Sequence, residues 1–189
     1  MNVGIIGFGN QGAKRFKLLK IEDPIYKLKS IKNEQEIKHM MEAHKKDGLA
    51  LTKFIYWIKN VNKKVITEVD AQNRLEKFRK LNPAYLFPSF NTIAGAGSNG
   101  AIVHYRATPK NTKKIKKQDL LLVDSGGQYK FGTTDVTRTI CFSKQKKSIM
   151  NAYTYVLKGH IAVVQTNLNK IDTGKKIDIR ARKFLKKVG

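Results

Sequence analysis

Residues 124–139 read DSGGQYKFGTTDVTRT, and this stretch decides how the chain is interpreted. It follows the aliphatic run 120–123, which predicts a buried strand. Residues 128–132 combine glycine with polar side chains and predict a reversal, and the β-branched run over 134–142 predicts a returning strand. The stretch therefore predicts a β-hairpin with an aspartate on each strand.

The two aspartates of this hairpin, Asp124 and Asp135, are separated by ten residues. An even number allows both to occupy facing positions on one side of the hairpin, with Cβ atoms ~5 Å apart. Two carboxylates that close repel unless they are protonated or bridged by cations, and two divalent metals ~3.5–4 Å apart would resolve the repulsion. From the spacing alone, the simpler interpretation of a turn aspartate beside an unrelated strand aspartate is preferred.

The sequence of the hairpin closely resembles the metal-binding hairpin of Xaa-Pro aminopeptidases. Residues 99–105, NGAIVHY, resemble the segment that supplies the active-site histidine of that family, and residues 67–70 and 155–162 match it too. The resemblance runs from about residue 22 to the last residue. It implies an α+β pita-bread fold, in which two pseudo-symmetric halves enclose a dinuclear metal site.

The resemblance also implies a role for three residues. Asp124 corresponds to a bidentate ligand of one metal, Asp135 to the carboxylate that bridges both, and His104 to the histidine that contacts the substrate or stabilises the tetrahedral intermediate. The implied cofactors are two divalent ions, manganese first and zinc or cobalt as alternatives, which lower the pKa of bound water and polarise the substrate carbonyl. The implied substrates are peptides with proline in the second position, and full-length members of the family are often homodimers.

The remaining ligands of the family are a histidine within a His-Gly-Thr-Gly-His run and two glutamates, all further downstream. The chain stops at Gly189, where that run is expected to begin, so two of five ligands are present. We therefore expect a fragment that contains the first half of the fold and two helices of the second. Such a fragment is expected to be inactive alone and poorly stable, because apolar faces are left uncovered.

Residues 1–20 have a different character. Gly7, Gly9 and Gly12 follow an apolar run and fit the dinucleotide-binding fingerprint, but residues 31–36 open a helix where a second strand and its acidic residue are expected. We interpret residues 1–20 as an orphan strand-turn-helix segment and residues 21–189 as a partial pita-bread catalytic domain. A nicotinamide oxidoreductase is an alternative that rests on these glycines alone.

A long helix is predicted to begin after Asn33, with Glu34 and Glu36 in a first turn where the helix dipole favours negative charge. Its predicted buried stripe consists of the residues that recur at helical spacing, namely Ile37, Met40, Met41, His44, Leu51, Phe54, Ile55 and Ile58.

A capping-box pattern at 67–70 predicts a second helix that runs to about Lys80. Short strands are predicted over 90–94 and 101–105, with a glycine-rich connection between them. Two further helices, over 148–168 and 175–188, complete an α+β order in which strands and helices do not alternate.

The net charge of +24 comes mostly from lysines that are spread along all 189 residues. Nucleic-acid sites favour arginine and interleaved aromatics, so a solvated surface is the preferred interpretation. A pita-bread protein that binds RNA stays open as an alternative, as does a prolidase or creatinase relative. No apolar run reaches the ~20 residues of a membrane helix. The single cysteine, Cys141, excludes an internal disulfide and favours a cytoplasmic location.

Overall fold

The computed structural model describes residues 24–61, 66–170 and 173–187. The orphan segment predicted for residues 1–20 lies outside them. In chain order the elements are helices α1 (Pro24–Ser30), α2 (Glu34–Asn60) and α3 (Glu68–Lys80), strands β1 (Tyr85–Pro88) and β2 (Ile93–Ala96), a 3-10 helix (Gly97–Ala101), strands β3 (Leu120–Ser125), β4 (Gly127–Tyr129), β5 (Gly132–Thr133) and β6 (Val136–Cys141), helices α4 (Lys147–Val164) and α5 (Gly174–Arg182), and a last 3-10 turn (Leu185–Lys187).

Helix α2 begins where the sequence predicts. The Asn33 side chain accepts a hydrogen bond from the Glu36 N–H, and the Glu36 carboxylate accepts one from the Asn33 N–H, at 2.8 and 2.9 Å. This reciprocal capping satisfies two donors that a helix N-terminus otherwise leaves unpaired.

The predicted buried stripe of α2 is correct only in its C-terminal half. Leu51, Phe54 and Ile58 are buried, whereas Ile37, Met40, Met41 and His44 are exposed. In the N-terminal half the buried positions are Ala43 and Asp47. A small residue is needed at Ala43 because the β4–β5 reversal comes close to the helix there: a Cβ on Gly132 would lie 2.9 Å from the Ala43 Cβ.

The chain forms two compact units. The first contains the described residues up to 61 together with 70–93 and 124–137. Its sheet has the order β1-β4-β5, with both pairs antiparallel and a bulge in β1. The rings of Tyr85 and Tyr129 meet edge to face, with centroids 5.5 Å apart, and pack with Ala43 into a small core.

The second unit contains residues 66–69, 94–123 and 138–187, apart from the undescribed positions 171 and 172. Most residues of the β2-β3-β6 sheet belong to it. Helices α4 and α5 pack closely, since a Cβ on Gly159 would lie 2.2 Å from the Ala181 carbonyl oxygen. Helix α5 begins after Thr173, whose hydroxyl accepts from the Lys176 N–H.

Two strand predictions are wrong in detail. Residues 89–92 form no strand, because β1 ends before them and β2 begins after them, so the strand expected over 90–94 overlaps only the start of β2. Residues 101–105, where a second strand was expected, form the end of a 3-10 helix and a turn. Strand β3 alternates half-buried and buried residues, so it is not buried on both faces as the aliphatic run indicates. Across the described parts of the chain, no helix is both long and apolar enough to span a membrane.

Candidate active site

The hairpin reverses at Lys130 and Phe131, and its register continues beyond the reversal. Gln128 pairs with Thr133, and the Thr134 N–H donates to the Gly127 carbonyl at 2.9 Å in the same register. Glycine is required at position 126, because a Cβ there would lie 1.9 Å from the Thr134 carbonyl oxygen. The backbones of the two arms therefore approach each other next to Asp124.

The direct partner of Asp124 across the hairpin is Thr137. The Thr137 hydroxyl donates to Asp124 Oδ1 at 2.8 Å, as the register predicts. Counting in that register, Asp135 lies opposite Gly126, two positions from the expected pairing with Asp124. The difference arises because the reversal is not midway between the aspartates: Asp124 precedes Lys130 by six residues, and Asp135 follows Phe131 by four.

The two aspartates differ in their surroundings. Asp124 is half-buried at the end of β3, whereas Asp135 is exposed between β5 and β6 and its carboxylate makes no hydrogen bond or ion pair with the described residues. Carboxylate oxygens are suitable ligands for hard divalent cations. Among the described residues, no group of three or more His, Cys, Asp or Glu side chains could hold a metal ion. The hairpin thus fits part of a coordination shell.

His104 lies in the second unit, in the turn that follows the 3-10 helix. Its backbone has φ 54°, a left-handed conformation that no other described residue except glycine adopts. The Tyr105 N–H donates to the Ile102 carbonyl at 3.2 Å and closes the turn, and the His104 side chain is exposed. Such conformations cost free energy in non-glycine residues and cluster at functional sites.

A buried carboxylate that sequence reasoning missed lies beside this turn. Glu68, the first residue of α3, is completely buried, and its two oxygens accept four hydrogen bonds. The donors are the Ala96 N–H, the Asn99 amide, the Tyr105 hydroxyl and the Lys113 N–H, at 2.7–2.9 Å. Burial, and then the hydrogen bond to Glu68, raise the pKa of Tyr105 to about 12.

A second buried network lies in the first unit, next to the hairpin. The Arg79 guanidinium donates to both oxygens of Asp47, at 2.7 and 3.1 Å, and to the Ser125 hydroxyl at 3.0 Å. The Tyr129 hydroxyl donates to Asp47 at 2.8 Å, and burial followed by that hydrogen bond raises the pKa of Tyr129. Because Ser125 and Tyr129 belong to β3 and β4, the network fixes the arm that carries Asp124.

A signal for this second network was present in the sequence. Asp47 lies among apolar residues at helical spacing on α2, and Arg79 continues the spacing of the buried Ala71 and Leu75 on α3. A charged residue on a buried stripe requires a partner, and two such residues on consecutive helices predict each other. Glu68 had no such signal, because a glutamate at a helix start is ordinarily solvated.

Comparison with known proteins gives a consistent result. Residues 38–189 match metallopeptidase family M24. A probable Xaa-Pro aminopeptidase P of Paracoccidioides brasiliensis (strain Pb03) is 43% identical over 176 residues, which are 92% of this chain and 29% of that protein. Aminopeptidase P2 of Arabidopsis thaliana is 41% identical over 174 residues, 89% of this chain and 24% of that protein. The chain thus spans less than a third of the length of these relatives.

Solved structures show the same fold. The X-prolyl aminopeptidase of Caenorhabditis elegans, described as a cytosolic enzyme with a di-nuclear active site, superposes with a TM-score of 0.81 at 30% identity over 88% of this chain and 28% of that chain. The Xaa-Pro dipeptidase of Bacillus anthracis has a TM-score of 0.74 at 26% identity, over 87% of this chain and 44% of that chain. The predicted α+β pita-bread fold, present in part, is confirmed.

Proposed function

Because this chain belongs to metallopeptidase family M24, we propose that it forms part of a dinuclear aminopeptidase that removes the first residue of peptides with proline in the second position. The observation that carries the proposal is the identity of 41–43% with Xaa-Pro aminopeptidases over about nine tenths of the chain. We assign residues 21–189 to the catalytic domain and expect the protein in the cytoplasm, where its exposed Cys141 thiol would stay reduced.

We propose that Asp124 and Asp135 are metal ligands. The Thr137 hydroxyl orients the Asp124 carboxylate through a hydrogen bond to Oδ1, and the exposed carboxylate of Asp135 is available to a ligand. When bound, two divalent ions, manganese with zinc or cobalt as alternatives, lower the pKa of water and polarise the scissile carbonyl. The missing positions of the coordination shell would come from residues beyond those described here.

His104 is proposed as the catalytic histidine. Its exposed imidazole stands on a turn whose backbone is closed by a hydrogen bond, so an N–H of the ring can be held toward an oxygen of the substrate. A donor placed where negative charge develops stabilises the transition state, and loss of one such donor typically lowers kcat by ~10²–10³-fold.

The test is hydrolysis of an Xaa-Pro tripeptide by the whole protein with added Mn²⁺. Asp124→Asn and Asp135→Asn are expected to abolish turnover and to weaken Mn²⁺ binding measured by calorimetry, because each substitution removes an anionic ligand. Asp178→Asn, which alters an exposed ion pair with Arg182, is the matched control. Turnover that both hairpin variants retain would contradict the assignment of the ligands.

A polypeptide of these 189 residues alone is expected to show no turnover above a metal blank, because its described residues do not assemble three metal-binding side chains. Hydrolysis by this polypeptide would overturn that expectation.

A prolidase is the alternative, and it is less well supported, because the Xaa-Pro dipeptidase of Bacillus anthracis is 26% identical to this chain whereas the aminopeptidases are 41–43% identical. Hydrolysis of Xaa-Pro dipeptides in preference to tripeptides by the whole protein would select it over the aminopeptidase.

A further inference from the structure

Glu68 carries a buried charge that no cation neutralises among the described residues. Its exposed fraction is 0%, and each of its oxygens accepts two hydrogen bonds from neutral donors. A carboxylate is expensive to bury unless its lone pairs are satisfied, so a fold that keeps one here must draw the donors together around it.

The side-chain donors stand at the two ends of one short loop. Asn99 and Tyr105 both donate to Glu68, and the Asn99 amide also donates to the Tyr105 hydroxyl at 2.7 Å. The Asn99 carbonyl accepts from the Ile102 N–H, so the loop between the two ends is itself hydrogen-bonded. One carboxylate thus joins the beginning and the end of residues 99–105.

The loop places His104 in a position that ordinarily favours glycine or asparagine. The hydrogen bond from the Tyr105 N–H to Ile102 defines a β-turn in which His104 is the third residue, with φ 54°. The exposed His104 side chain makes no hydrogen bond with the described residues that could offset the backbone strain. The neighbouring Tyr105, by contrast, is 6% exposed and bound to Glu68.

We propose that Glu68 is a positioning residue, which holds His104 in its left-handed conformation through Tyr105 and Asn99. The anchoring follows from these contacts, whereas its consequence for catalysis rests on the function proposed above for His104. Glutamine cannot replace Glu68, because each oxygen accepts from a backbone N–H, of Ala96 or of Lys113, that cannot rotate away. In either orientation the glutamine NH₂ group would face one of these donors.

The structural test compares Tyr105→Phe with Tyr129→Phe in the whole protein. Both substitutions remove a buried hydroxyl that donates to a buried carboxylate, but only Tyr105 borders His104. Tyr105→Phe is expected to speed exchange of the Tyr105 amide about tenfold, equivalent to about 1.4 kcal/mol, and to move the His104 Cα and Cβ chemical shifts away from left-handed values. Tyr129→Phe is expected to leave both unchanged.

Two results of this comparison would overturn the proposal. Unchanged His104 shifts in Tyr105→Phe would show that the anchor does not set the turn, and equal changes in both variants would show that the effect is not local. Glu68→Gln is expected to change the His104 shifts and the residue 105 amide exchange more than Tyr105→Phe does. If Glu68→Gln does not fold, Tyr105→Phe still tests the proposal.

The catalytic consequence is tested in the whole protein. Tyr105→Phe is expected to lower kcat about tenfold or more with KM unchanged, because a displaced catalytic group affects the chemical step rather than binding. The exposed Tyr153→Phe is the control. An unaltered kcat in His104→Ala would refute the proposed role of His104 and leave the anchoring intact. A low kcat in His104→Ala with an unaltered kcat in Tyr105→Phe would refute the positioning role instead.

Discussion

Two buried carboxylates, one in each compact unit, are stabilised in different ways. Asp47 in the first unit is paired with the guanidinium of Arg79, and Tyr129 is its one neutral side-chain donor within the described part of the chain. Glu68 in the second unit has four neutral donors and no cation among the described residues. The charge of Asp47 is therefore stabilised mainly by one cation, whereas the charge of Glu68 is stabilised by donors from several parts of the chain.

The difference determines what each network controls. Arg79 and Asp47 join α3 to α2, and through Ser125 they reach the arm of the hairpin that carries Asp124. Glu68 joins the end of β2 and the 3-10 helix, through Ala96 and Asn99, to Tyr105 and Lys113, which lie outside helices and strands. The ion pair therefore connects two α-helices, whereas the neutral donors connect a strand end, a 3-10 helix and two irregular segments.

The largest effect is expected from Arg79→Met in the first unit. The substitution leaves the Asp47 charge buried without its cation, which should cost about 3–5 kcal/mol of unfolding free energy. The single tryptophan, Trp57, lies in the same unit, so urea unfolding followed by its fluorescence measures the loss. Lys80→Met is the control, because the Lys80 side chain, which pairs with Glu76, is 65% exposed. Equal midpoints for the two variants would contradict the importance of the buried pair.

A smaller loss is expected from Glu68→Gln in the second unit, where no ion pair is broken. The NH₂ group of the glutamine would face the backbone N–H of Ala96 or of Lys113, and two donors cannot bond to each other. The unfolding free energy should fall by about 2 kcal/mol, and exchange of the Ala96 and Lys113 amides should speed up about thirtyfold. Glu42→Gln, in a half-exposed pair with Lys46, should change neither exchange rate. Unaltered amide exchange in Glu68→Gln would show that the hydrogen bonds of the four donors do not depend on the charge of Glu68.

Ser125→Ala should have a modest effect on the first unit. It removes one acceptor of the Arg79 Nη2 group, which keeps its bond to Asp47, and the expected cost is about 1 kcal/mol in the fluorescence-monitored unfolding. The exposed Ser30→Ala should change stability by less than about 0.5 kcal/mol. A cost as large as that of Arg79→Met would show that the hydroxyl, and not the ion pair, dominates the network.

The last prediction concerns the contribution of Tyr105 to stability, which is expected to change only at alkaline pH. The pKa of Tyr105 is raised from 10.0 to about 12 in the folded chain, so between these values the unfolded chain loses a proton that the folded chain keeps. The contribution of Tyr105 to stability is complete below pH about 10 and declines as the pH rises toward about 12. The difference in urea midpoint between the wild type and Tyr105→Phe should narrow over this range. A constant difference would contradict the raised pKa.

The sequence predicts the parts of the fold that depend on local chemistry. The capping residues Asn33 and Glu36 determine where α2 begins, and the polar reversal before Gly132 determines the hairpin. The sequence does not predict a local structure that is determined by contact with a residue far away in the sequence. Residues 101–105 have the composition of a strand, yet the buried Glu68 draws Tyr105 into a turn, and nothing within those five residues indicates it.

The candidate site follows the same division. Asp124 and His104 are proposed as site residues because they belong to contiguous motifs that resemble a known family. The offset between Asp124 and Asp135 was not predicted, since it depends on which two residues form the reversal, and several polar positions in the hairpin could do so. The supporting residues Asp47, Arg79 and Glu68 act through side-chain contacts 28–82 positions apart in the sequence, which short motifs do not contain.

The left-handed backbone of His104 makes the stability of the fold compete with the role proposed for its imidazole. Glycine would relieve the strain and is expected to make His104→Gly more stable than the wild type, by about 1 kcal/mol, while removing the imidazole. Selection for stability alone would therefore remove this histidine, and its persistence in a lineage is a sign that activity is being selected. Laboratory evolution for thermal tolerance, without an activity screen, should replace His104 early.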